Sequence, residues 1–148
     1  PTVNSYKRLV EGFWAPTRAT WGIDNRTCAF RVISGSQKST RVEVRVPGAD
    51  MNPYLSIAAS LAAGIYGIEN KLELNVDPVK GNGYIDKDAQ PFPKTLTEAA
   101  SALKKSALAH KIFGPEFVNH FVNSRQWEWR KSQEAVTNWE LQRYFEII

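Results

Sequence analysis

The spacing of hydrophobic and polar positions changes character along the chain. Over residues 17–46 β-branched and aromatic side chains dominate, a break falls at Ser34-Gly35-Ser36, and residues 41–46 alternate strictly between charge and valine. That pattern predicts two or three antiparallel strands. Period-2 geometry puts Arg41, Glu43 and Arg45 on one face of the last strand and Val42, Val44 and Val46 on the other, the face assigned to the core. Pro47-Gly48 marks a turn, and Asn52-Pro53 supplies an N-cap residue followed by proline at the first helical position, so a helix is predicted over 53–70. Its Leu55, Ile57, Leu61, Ile65 and Ile68, with alanines between them, leave little polar face, which places this helix in the core.

Residues 71–94 lose any steady period and carry Pro78, Gly81, Gly83, Pro91 and Pro93, the signature of a long surface loop. Thr95-Leu96-Thr97-Glu98 has capping-box spacing and opens a helix of about ten residues. Gly114-Pro115 separates it from a helix predicted over 116–136, where Phe117, Val118, Phe121 and Val122 form an apolar stripe. Thr137-Asn138-Trp139-Glu140 repeats the capping box and opens a last helix, or continues the previous one past a kink. The fold class read from this order is α+β, with antiparallel strands in the N-terminal third packed by helices and a mostly helical C-terminal half. A chain of 148 residues is expected to bury one core.

Composition narrows the setting. With 43% hydrophobic and 23% charged residues the chain is neither disordered nor coiled coil. The longest weakly polar stretch, residues 55–68, contains Ser56 and Ser60 and is too short to cross about 30 Å of hydrocarbon, so no membrane partner is expected. Cys28 is the single cysteine, and the first residues lack the charged-then-apolar order of an export signal. A reducing, cytoplasmic location is the expectation.

The formal charge of +4 resides entirely in residues 1–50, where six of the eight cations are arginine. Arginine's planar fork matches carboxylate and phosphate, so an anion-handling surface is the first hypothesis. Interleaved acids and the absence of a lysine-rich run or zinc-finger spacing argue against nucleic acid. On the Arg41-Glu43-Arg45 face two readings are open: a solvated sheet face whose neighbouring charges offset one another, or guanidinium groups flanking a carboxylate that takes a hard divalent cation. Arg26 and Arg31 lie on nearby segments, and a bend is needed to bring both to one face. Asp24-Asn25-Arg26 also reads simply as a turn. His110 and His120 lack a carboxylate at ligand spacing, Cys28 reads as a packed small hydrophobe, and Trp127, Trp129, Trp139, Tyr144 and Phe145 read as packing, with any exposed part a candidate subunit contact.

Taken in order, Asn4-Ser5-Tyr6-Lys7-Arg8-Leu9-Val10, Gly12, Ala15-Pro16, Asn25-Arg26, Arg41-Val42-Glu43-Val44-Arg45 and Asn52-Pro53-Tyr54-Leu55 resemble the C-terminal third of the catalytic domain of the glutamine synthetase family. The likeness covers essentially the whole chain, and the closing Trp127-Glu128-Trp129-Arg130 and Trp139-Glu140-Leu141 look like the bacterial branch that includes amine ligases. In that family ATP phosphorylates the side-chain carboxylate of glutamate, and ammonia or an amine displaces the phosphate to form an amide. The resemblance implies that Arg8 contacts glutamate, Arg26 and Arg31 serve the ATP phosphates, Arg41 serves the phosphates and nucleotide, Glu43 binds Mg²⁺ or Mn²⁺, and Arg45 holds the reacting carboxylate. Arg45 and Arg26 are then the catalytic pair. It also implies a homo-oligomeric parent protein.

Two departures qualify that reading. Ammonia-using members carry a glutamate where this chain has Trp14, and an indole cannot accept a proton; a bulkier amine, or no catalysis, is favoured. Glu11 also stands where the family has proline. The family's other metal carboxylates, its histidine ligand and its glutamate loop lie in segments upstream of the matched one, so the 148 residues alone are expected not to turn over ATP. The alternatives are a non-catalytic homologue with a structural or assembly role, and a free-standing anion-binding module.

Overall fold

The computed structural model describes residues 1–147. The chain divides into two compact units, Pro1–Lys94 and Thr95–Ile148, so the buried side chains fall into two groups where length alone leads one to expect a single core. The class is α+β, as the sequence indicates.

In the first unit a 3₁₀ turn at Ser5–Arg8 precedes a three-stranded sheet of β1 (Trp21–Ile23), β2 (Phe30–Ile33) and β3 (Arg41–Val44), in that spatial order. β2 and β3 are antiparallel, with Arg31 directly opposite Glu43 and Val32 opposite Val42. β1 and β2 are parallel, Trp21 facing Phe30, which corrects the all-antiparallel expectation. Parallel neighbours normally need a long crossover. Here the strands are short, and the chain turns back through Asp24, whose φ of 48° lies in the left-handed region that aspartate tolerates better than most residues. The connection then runs through the buried Thr27, Cys28 and Ala29.

The first helix, α1 (Pro53–Glu69), starts where the sequence places it: the Asn52 side chain accepts from the Leu55 N–H at 3.2 Å, and proline occupies the first turn. Its assignment to the core is wrong, because none of its residues is buried and Tyr54, Ile57, Leu61, Ile65 and Ile68 are exposed. The valine face of β3 is likewise uncovered, with Val42 59% exposed. Apolar periodicity reports which surface an element can bury; the described residues do not supply the cover.

Residues 71–94 form the irregular, mostly exposed segment that the sequence predicts, but it is fastened to the sheet. Val79 N–H donates to the Trp21 carbonyl at 2.9 Å, and the Trp21 indole donates to the Val76 carbonyl at 2.8 Å. Further on, Ala19 N–H donates to Gln90 and Phe92 N–H to Thr17, around a bridge between Arg18 and Pro91. A short 3₁₀ turn, Gly83–Ile85, begins at the buried Gly83.

The second unit contains α2 (Leu96–Lys105), α3 (Ala107–Phe113), α4 (Pro115–Glu134) and α5 (Asn138–Tyr144). Ser106 ends α2, the ten-residue helix predicted from Thr95, and caps a further helix, α3, accepting from the Ala109 N–H at 3.1 Å. Ala100, Ala109, Val118 and Val122 form its core, with Leu103 and Phe113 against it. α5 carries the reciprocal Thr137–Glu140 capping box and is a separate helix. Of the C-terminal aromatics, Trp139 and Tyr144 meet edge to face at 5.8 Å, but both are exposed, as are Trp127 and Phe145, contrary to the packing expectation.

Candidate functional site

The charged residues of the sheet unit form a continuous chain of contacts. Asp24, held at the end of β1 by its left-handed backbone, accepts from the Arg31 guanidinium. Arg31 Nη1 donates to Glu43 Oε2 at 3.2 Å, and Arg45 Nη1 donates to the same oxygen at 3.1 Å. Arg45 Nη2 donates to the Trp14 carbonyl at 2.7 Å. The cross-strand register causes this: Arg31 and Glu43 are directly paired, and Arg45 lies one period-2 step along the same face. The Arg31 and Arg45 side chains are only 17% and 15% exposed, against 40% for Glu43, so the charged face is better covered than the valine face behind it.

The electrostatics follow from these bonds. Burial tends to raise the Glu43 carboxyl, but hydrogen bonds from Arg45 and Arg31, with their positive charge, hold it below the usual carboxylate range. The Asp24 hydrogen bond first, and the Glu43 bond second, push Arg31 still higher, fixing its charge. Both guanidinium groups spend their bond on Oε2, while Oε1 makes no hydrogen bond among the described residues. An ionised carboxylate with one free oxygen suits a hard divalent cation. Among the described residues no group of three His, Cys, Asp or Glu side chains is gathered, so Glu43 fits such an ion as a single ligand.

An open cleft of about 590 Å³ lies beside this network, lined by Trp14, Asp24, Arg26, Arg31 and the segment Pro78–Gly81 among others. The bend that the sequence reading requires is present: Arg26 sits in the turn before β2, and it and Arg31 line the same cleft. Arg26 is exposed and makes no hydrogen bond or ion pair among the described residues. Trp14 is 64% exposed with φ 54°, a conformation costing a bulky side chain of order 1–3 kcal/mol.

Of the nominated residues, Arg8, Arg41, Arg45 and Glu43 are not in the cleft lining, and Glu43 and Arg45 connect to it only through Arg31. Arg41 is exposed and donates to the Ser39 carbonyl at 3.1 Å, so it does not extend the Arg31–Glu43–Arg45 chain. Arg8 is directed at β3's end, where Nη2 donates to the carbonyls of Arg45 at 3.2 Å and Val46 at 2.5 Å. The Nε–H groups of Arg8 and Arg45 are buried without a partner among the described residues. Sequence reasoning missed Lys80 in the cleft wall and treated Asp24 as a turn residue. No local signal in residues 71–94 pairs Lys80 with the Asn25 turn.

The family described as "Glutamine synthetase, catalytic domain" matches residues 1–144. Type-1 glutamine synthetase 2 of Dictyostelium discoideum is 55% identical over 151 aligned residues, covering 100% of this chain and 29% of that protein. The glutamate–isopropylamine ligase of a Pseudomonas species is 48% identical, over 100% of this chain and 32% of its own. A solved GmaS/ADP complex superposes with a TM-score of 0.79 at 32% identity, over 99% of this chain and 35% of that one. The chain therefore spans about a third of the length of the relatives it matches.

Proposed function

The chain belongs to the glutamine synthetase catalytic-domain family, and from that premise we propose that it is the C-terminal segment of the catalytic domain of an ATP-dependent ligase, cytoplasmic and homo-oligomeric, that joins the side-chain carboxylate of glutamate to an amine. The single observation that carries this reading is the Arg31–Glu43–Arg45 chain beside a cleft with the unpaired Arg26 in its wall. Phosphoryl transfer to a carboxylate needs fixed positive charge where negative charge accumulates, and little else from the protein.

In this reading Arg26 and Arg31 orient the ATP phosphates, and Arg41, outside the cleft lining, serves the phosphates and nucleotide. Arg45 holds the carboxylate being activated, and Arg8 holds the rest of glutamate. Arg45 and Arg26 act on the reacting groups. Glu43 would hold Mg²⁺ or Mn²⁺, and a bound divalent ion would neutralise phosphate charge there. Asp24 and Glu43 fix the two flanking guanidinium groups beforehand, so little reorganisation is left for the reaction.

Trp14 favours an amine larger than ammonia. It has no group that can take a proton, and its exposed ring lines the cleft. The likeness to a glutamate–isopropylamine ligase supports the same choice. The same indole also favours a second reading, a non-catalytic homologue with a structural or assembly role.

The two readings separate in an amine-dependent ATP hydrolysis assay on the complete protein that carries this chain. Turnover with an alkylamine or ethanolamine above the rate with ammonium supports the amine ligase. Arg45→Ala is expected to lower it by about 100-fold or more, with circular dichroism unchanged. No turnover with any amine supports the non-catalytic reading, and full activity in Arg45→Ala removes its assigned role. The 148 residues alone are expected to show no ATP turnover.

A further inference from the structure

Residues 78–81, which line the cleft together with Arg26, are too closely fastened to be a passive loop. Asn25 is the main fastener. Its Nδ2 donates to the Gly81 carbonyl at 2.7 Å and the Val79 carbonyl at 3.3 Å, so the bonds fall on either side of Lys80. Its Oδ1 accepts from the Thr27 N–H at 3.0 Å and the Thr27 hydroxyl at 2.7 Å. Thr27 Oγ1 in turn accepts from the Gly83 N–H at 2.8 Å. Val79 is further tied to β1 through its own N–H.

The approach is close enough to constrain β1 as well. A Cβ added at Gly22 would lie 3.0 Å from the Val79 carbonyl oxygen and 3.2 Å from the buried Cys28 sulfur. Gly81 has a φ of 83°, which glycine adopts without strain. These features fix the backbone on both sides of Lys80, whose side chain lines the cleft and makes no hydrogen bond or ion pair among the described residues. The adjoining residue of the same Asn25 turn is Arg26, equally unpaired, lining the same cleft. One asparagine thus sets the positions of two unneutralised cations around one opening.

Building on the phosphate reading of this cleft, we infer that Lys80 is a further polyphosphate-binding residue and that Asn25 is the positioning residue that holds it in the same cleft as Arg26. A linear polyphosphate has several charged oxygens, and two cations lining one cleft can engage different phosphoryl groups at once. Arg26 offers a planar fork and Lys80 a mobile point charge. Arg31 contributes less free donor capacity, being engaged by Asp24 and Glu43.

Inorganic tripolyphosphate, titrated calorimetrically into the full chain at low ionic strength, tests this without requiring turnover. Lys80→Ala is expected to weaken binding roughly threefold to fivefold, the scale of one exposed charge pair, with Lys80→Arg restoring most of it. Lys87→Ala, which removes an exposed lysine outside the cleft lining, controls for net charge and is expected to change nothing. Asn25→Ala, which releases both Lys80 and the Arg26 turn, should weaken binding at least as much as Lys80→Ala, and Lys80→Ala should cost less in the Asn25→Ala background than in the parent chain. If Lys80→Ala behaves like Lys87→Ala while Arg26→Ala weakens binding, the inference about Lys80 is overturned and the phosphate reading stands. If tripolyphosphate does not bind, or neither Arg26→Ala nor Lys80→Ala alters its binding, both are overturned.

Discussion

Residues 1–94 and 95–148 are held together by different forces. In the helical unit the buried side chains include Leu96, Val118 and Val122, and stability comes from removing apolar surface from water. In the sheet unit the buried positions are Ala15, Pro16, Thr20, Gly22, Thr27, Cys28, Ala29 and Gly83, none of them a large hydrophobe. Its larger apolar side chains, on α1 and on the valine face of β3, lie uncovered, while hydrogen bonds donated by Asn25, Trp21 and the arginines, and one accepted by Thr27 from Gly83, tie the segments to one another. A unit built this way keeps its geometry through directional bonds that each contribute about 0.5–1.5 kcal/mol. It places charged groups accurately, but has little apolar burial in reserve.

Core truncation gives the largest expected effect and probes the helical side of that contrast. Val118→Ala deletes two methyl groups from a fully buried site packed with Ala100, Ala109 and Val122, and should destabilise the helical unit by about 2–3 kcal/mol. Hydrogen exchange at the α2 and α4 amides reads this directly, with protection falling by the corresponding factor. Val42→Ala on the uncovered sheet face should cost well under that, and equal losses at the two valines would erase the distinction.

The sheet unit should fail through close approach instead. Gly22→Ala drives a methyl against the Val79 carbonyl and the Cys28 sulfur, neither of which is the free end of a flexible side chain. A cost of about 1–3 kcal/mol is expected, seen as faster exchange of the Val79 amide. A variant as stable as the parent, with the Val79 amide still protected, would show that the hydrogen-bond fastening is looser than the distances imply.

The same contrast explains what could be read in advance. Capping chemistry is local, so Asn52-Pro53 fixed the start of α1 and Thr137 with Glu140 the start of α5. The charged face of β3 was legible because side-chain alternation requires no knowledge of the partner strand. Strand direction was not, since short strands carry the same residue preferences whether parallel or antiparallel. Burial of α1 was misjudged because periodicity specifies an apolar face and not its cover. Ser106 ends α2 at the predicted length and caps α3, whose seven residues are too few to display a period. The site suffered from the same blindness to distant backbone. Asn25 fastens itself to carbonyls more than fifty residues away, which no residue preference in 71–94 discloses, so Lys80 escaped notice.

The smallest effect tests whether the charged network has the geometry described. Glu43 is ionised at a lower pH than an ordinary carboxylate despite partial burial, because Arg45 and Arg31 both donate to it. A carboxyl depressed in the folded state stabilises that state fully above its unfolded value, and the contribution is lost as pH falls through the folded value. Carbon NMR of the Glu43 carboxyl should therefore give a midpoint below that of the same residue in a denatured chain, and stability should decline as acid protonates it. With a side chain 40% exposed, the contribution to stability is small. The midpoint is the sharper readout. Arg45→Met should move it upward, and Arg31→Met should do the same by removing the other donor to Oε2. If Glu43 titrates at or above the ordinary value in the parent chain, the two guanidinium groups do not converge on it, and the preorganised charge on which the sheet unit's chemistry depends is absent.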